Sequence, residues 1–150
     1  MNIIDSVDCV GLLIELLRGW TISSVDICAT TLHILMFEAQ QPSLKEKIMN
    51  SDNFNVILNC VNTNFTEDSI CRPFCVMIEC LTENSPEIRR AFVRDGTVVD
   101  LLNKMYIQNP SSNMFLDTIE ASLLSLGTST PHTHTHTLNK KLNHSLKKKK

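Results

Sequence analysis

Apolar residues in this chain recur in the rhythm three, one, three, with Val10, Leu13, Ile14 and Leu17 as the first set. An offset of 44 residues brings the rhythm back at Phe54, Ile57, Leu58 and Val61, and again at Val98, Leu101, Leu102 and Met105. That spacing keeps each set on one side of an α-helix, which predicts three equivalent helices over roughly 9–18, 53–62 and 97–107. A second series follows, with Leu32, Ile78 and Leu123 each three residues ahead of Leu35, Leu81 and Leu126. It predicts three longer helices at roughly 24–38, 68–83 and 112–126. A fixed period of this size marks stacked repeats, in which each unit hides its apolar side against its neighbours.

The punctuation between these helices completes the unit. Gln41-Pro42 and Ser85-Pro86 each place a proline where a short helix opens, at the position whose N–H has no intrahelical partner anyway. Gly96 is the expected left-handed stop of the last such helix, and Asp52 or Asn53 stands in that place in the middle unit. Cap candidates are Ser23 with Asp26 three residues on, Thr66 before Glu67-Asp68, and Ser111 or Ser112. Pro73 predicts that the middle unit's long helix starts there or kinks there.

Three-helix units of this period resemble the armadillo repeat. SPEIRRAFVRDGTVVDLLNKM is similar to the family's first and second helices, with Gly96 ending the first and Leu101-Leu102 in the second. QPSLKEKIMNSDNFNVILNCV is similar, with Asp52 where the glycine is expected, and DCVGLLIELL keeps the second helix of a first unit whose own first helix is only the stub Met1 to Val7. The expected architecture is an all-α, right-handed solenoid over residues 1–127, in units of about 1–41, 42–85 and 86–127, with a disordered tail at 128–150. HEAT-like and other helical solenoids share the period and stay open.

The resemblance implies a scaffold or adaptor rather than an enzyme, with a groove lined by the third helices. Importin-alpha-like members of the family place Trp and Asn four residues apart there to hold a peptide backbone. The matching positions here are His33 and Phe37, Glu79 and Glu83, and Leu124 and Thr128. None is Trp or Asn, so the resemblance does not carry that mode of peptide capture. One turn earlier lie Asp26, Arg72 and Asp117, with Glu120 close by. The lining is therefore mostly acidic, and the expected occupant of the groove is a basic partner segment.

Composition sharpens the picture at one point. A net charge of −2 over 150 residues conceals a body, 1–127, with eight basic and sixteen acidic residues, and a tail with six lysines and no acid. The tail, with His132, His134 and His136 alternating with Thr and with Lys147 to Lys150 at its end, reads as disordered low-complexity chain. Alternating His-Thr is also what a CA dinucleotide repeat encodes. Binding of nucleic acid or an anionic surface through this tail is an alternative function, and a truncated isoform with no function of its own is another. In the last repeat, Ile119, Leu123, Leu124 and Leu126 lack a following unit, which predicts weak stability or self-association there.

The chemistry on offer is sparse. His33 is the one histidine before residue 128, and neither a phosphate-cradling glycine loop nor a nucleophile with a base is visible, so no catalytic, cofactor or metal residue is assigned. Cys60, Cys71 and Cys75 could together supply thiolates to zinc, but their spacing and apolar setting read as buried thiols. With no apolar run long enough to span a membrane and no signal sequence, the expected setting is the cytoplasm, with the nucleus as a second site, and not secretion. The expected partner is a protein, with nucleic acid disfavoured.

Overall fold

The computed structural model describes residues 8–108 and 113–127, and among them all regular structure is helical. Helix α1 spans Cys9–Trp20 and α2 Val25–Glu38. A triplet follows, α3 at Pro42–Met49, α4 at Ser51–Thr63 and α5 at Asp68–Thr82, and then a second, α6 at Pro86–Asp95, α7 at Thr97–Gln108 and α8 at Asn113–Ser125. The described residues thus form a helix pair followed by two triplets. The tail and the cap candidates Ser111 and Ser112 lie outside the described residues.

Local chemistry sets the helix ends. The Asp8 carboxylate accepts the Gly11 N–H at 3.1 Å and caps α1, and a Cβ at Gly11 would meet that carboxylate at 2.5 Å and turn the flexible Asp8 side chain aside. Ser24, not Ser23, caps α2, its hydroxyl accepting the Ile27 N–H at 3.3 Å. Pro42 and Pro86 occupy the first turns of α3 and α6, and Gly96 ends α6 in the left-handed conformation at φ 80.

Further ends differ from expectation, and at α5 the N-cap is Glu67 rather than Thr66. The short helix of the first triplet stops at Asn50 rather than at Asp52 or Asn53. Asn50 turns extended, with φ −51 and ψ 131, and its side-chain oxygen accepts the Asp52 N–H at 3.1 Å, so one residue closes α3 and opens α4. The long helix α5 begins at Asp68 and runs through Pro73 instead of starting at it. The carbonyl that Pro73 leaves without its i+4 donor belongs to Ser69, an exposed residue, where water can take the donor's place.

The long helices form the spine, with α5 packed between α2 and α8. On α5 the side chains of Ile70, Cys71, Phe74, Met77, Ile78 and Leu81 have no exposed surface. Burial of each large apolar side chain is worth about 1.5–3 kcal/mol, so this helix anchors the structure. Helix α1 packs on α2 and α4, and α7 packs on α6 and α8. The short helices close one side, where the Phe54 and Phe92 rings stack at 5.2 Å between α4 and α6.

Candidate functional site

Helices α2, α5 and α8 are neighbours, with α5 packed on both of the others, and their expected lining residues make up the candidate surface. Helix α2 brings Asp26, His33 and Phe37, all exposed. Helix α5 brings Arg72 and Glu79, both half-buried, and Glu83 at its exposed end, and α8 brings Asp117, Glu120 and Leu124. The residues expected to line a groove therefore occupy neighbouring helices, some exposed and some at the seams between them. Phe37 is 61% exposed and Leu124 65%, so large apolar groups sit among the acids.

The charges on this surface are not equally available. Arg72 is held by Asp68 one turn earlier, at 2.8 Å to one carboxylate oxygen and 2.9 Å to the other. Glu79 accepts a hydrogen bond from the buried Ser122 hydroxyl at 3.2 Å, tying α5 to α8. Burial pushes the Glu79 carboxyl above the usual carboxylate range, and the Ser122 hydroxyl opposes that by stabilising the anion. Glu120 is half-buried and accepts the Tyr106 hydroxyl at 3.0 Å, linking α8 to α7. Burial and the neighbouring Glu120 raise the Tyr106 phenol, so it stays protonated as the donor. Asp26, Glu83 and Asp117 are the exposed acids of the set. His33 turns back on its own helix, with Nδ1 3.0 Å from the Ala29 carbonyl. Beside Glu79 and Glu83 a cleft of about 370 Å3 opens, lined also by Val76, Arg89 and Ser125.

The cysteines follow the apolar reading. Cys28, Cys60, Cys71 and Cys75 are buried, and Cys71 donates to the Phe65 carbonyl at 3.2 Å. Burial pushes the Cys60 and Cys75 thiols up to about 12 and Cys71 further in the same direction, so these sulfurs stay protonated and unreactive near neutral pH.

A second surface feature carries no sequence expectation. Between α4 and α7 lies a cleft of about 340 Å3 lined by Leu58, Asn59, Asn62, Asp100, Leu101 and Lys104. Lys104 crosses it, donating to the Asn62 side-chain oxygen at 3.0 Å with its Nζ 4.0 Å from the centre of the Phe65 ring. The only sequence trace of the Asp68–Arg72 pair was its spacing of four on a helix. The contacts of Ser122, Tyr106 and Lys104 join different helices and left no such trace. No helix among the described residues is long and apolar enough to cross a membrane.

No family model matches the chain, and no curated protein and no solved structure matches it.

Proposed function

We propose that the chain is a non-enzymatic protein-interaction scaffold of armadillo-like repeats that takes a partner segment across the surface of α2, α5 and α8. The supporting observation is the composition of that surface. Phe37 and Leu124 are more than half exposed on its outer helices, and Asp26, Glu83 and Asp117 stand exposed around them. Exposed aromatic and aliphatic groups supply contact area, and acids of one sign select against acidic partners and speed the approach of basic ones. With Arg72 committed to Asp68, the remaining charge favours a partner that is apolar on one side and basic at its edges.

The test is a titration of the full chain with a labelled amphipathic basic peptide and its acidic counterpart, at low and high salt. Selective binding of the basic peptide, weakened by salt and by Glu83→Lys with Asp117→Lys, is expected. Equal binding of both peptides, or affinity indifferent to the double substitution, overturns the reading.

A further inference from the structure

The repeat register allows the exposed apolar residues of α1 to be read against their equivalents in α4. On α4, Val56, Cys60 and Asn64 face the helix pair that precedes them. Val56 lines a cleft with Arg18 of α1, Cys60 is fully buried within hydrogen-bonding reach of Thr21 and Cys28, and Asn64 donates to the Thr21 carbonyl at 3.1 Å. The 44-residue offset carries these three positions back onto Leu12, Leu16 and Trp20. The side chains there are 60%, 42% and 42% exposed. They form one stripe along α1 at spacings of four, larger and more apolar than the set that makes the buried contact one unit later. The same offset forward lands on Asp100, Lys104 and Gln108, and Lys104 also reaches the unit before it. Twice, then, this register faces the preceding unit.

The opposite end of the stack carries the complementary register. Glu79 is the residue through which α5 meets Ser122 of α8, and its equivalent on α8 is Leu124, 65% exposed. Asn62 is the residue through which α4 meets Lys104 of α7, and its equivalent on α7 is Tyr106. Among the described residues, α1 and the α7–α8 pair thus each carry the register of a joint that the chain already makes internally, with Leu124 exposed and Tyr106 half-buried at the second.

We infer that the stripe Leu12, Leu16 and Trp20 on α1 is a seat for a second copy of this chain, which docks on it the α7–α8 end that bears Tyr106 and Leu124. The two surfaces differ, so the contact is head-to-tail and leaves one free seat and one free end on every dimer, which allows growth beyond two copies. It shares Leu124 with the surface proposed above and also shares the reading of the chain as repeats, but its seat on α1 lies outside that surface, so Leu16→Glu separates failure of this inference from failure of the partner binding.

The experiment is sedimentation of the full chain over a range of concentrations, with Leu16→Glu and Leu124→Glu alone and mixed. Both positions are exposed, and unchanged helical circular dichroism checks that the variants remain folded. The wild type is expected to pass beyond dimer as concentration rises, and each variant alone to remain monomeric. The equimolar mixture is expected to stop at dimer, because it contains one intact seat and one intact end per pair. Association of Leu124→Glu equal to wild type overturns the inference in favour of two α1 stripes facing each other. A wild type that stays monomeric at every concentration also overturns it, leaving the stripe to the chain's own residues 1–7 or to another protein.

Discussion

Where α4 meets the first helix pair, the contact positions hold Val56, Cys60 and Asn64; where α7 meets α4, the same register holds Asp100, Lys104 and Gln108. The first joint is apolar at its centre, with Cys60 fully buried and Asn64 spending its amide on the Thr21 and Cys60 carbonyls. The second has a cleft instead, spanned by one lysine. Both are backed by packing of the long helices, α2 on α5 and, less extensively, α5 on α8. The long helices thus pack in series, α2 on α5 on α8, while the residues on the medium helices decide whether the gap beside them is filled or left open to water.

Exchanging residues between the joints breaks this comparison most sharply. Cys60→Lys places an ammonium at a fully buried site, and depressing a lysine by three to five pKa units costs about 4–7 kcal/mol. Loss of most of the cooperative urea transition is the expected result. The backing helices are tested by Phe74→Ala, which empties the middle of the spine and should lower stability by about 3–5 kcal/mol in the same assay. Asn64→Ala removes the amide bridge to Thr21 and should cost about 1–2 kcal/mol. Lys104→Cys, the reciprocal exchange, should cost less than about 1 kcal/mol, since it gives up only exposed contacts. If Lys104→Cys proved as damaging as Cys60→Lys, the joints would not differ in the way the burial implies.

The smallest effect concerns Glu79 at the seam of α5 and α8. Its folded-state pKa is raised, so protonation favours the fold. The corresponding stability is fully present below the unfolded carboxyl pKa and is lost as pH rises through the folded value. Glu79→Gln should therefore remove that downward slope just above the usual carboxylate range. At neutral pH it should raise stability by less than about 1 kcal/mol, since a half-exposed carboxylate is screened by water. Urea melts between mildly acid and neutral pH would show it.

Much of the fold was legible in the order of apolar residues. The two sets at Val10–Leu17 and Leu32–Leu35, with their later copies, mark the medium and long helices because a buried helical side must repeat every three or four residues. Pro73 misled because the rule against internal proline concerns a lost hydrogen bond, and near an exposed helix start that loss is small. The surface was legible as positions and less so as charges. Asp26, Glu79, Glu83, Asp117 and Glu120 all count as acids in a sequence, yet Glu79 and Glu120 are half-buried against Ser122 and Tyr106, partners 43 and 14 residues away. The contrast between joints was present in Cys60 and Lys104 throughout. It could be read only once it was known that those positions face the preceding unit.

Asn50 joins α3 to α4 without an intervening residue, and this limits how the two can move. A linker of several residues would offer many torsional degrees of freedom, but here the bend passes through the two backbone angles of one side-chain-capped asparagine. Helix α3 is therefore set at one angle to α4, from which the Lys45 ammonium reaches the Glu83 carbonyl at 3.3 Å and ties the helix to the end of α5.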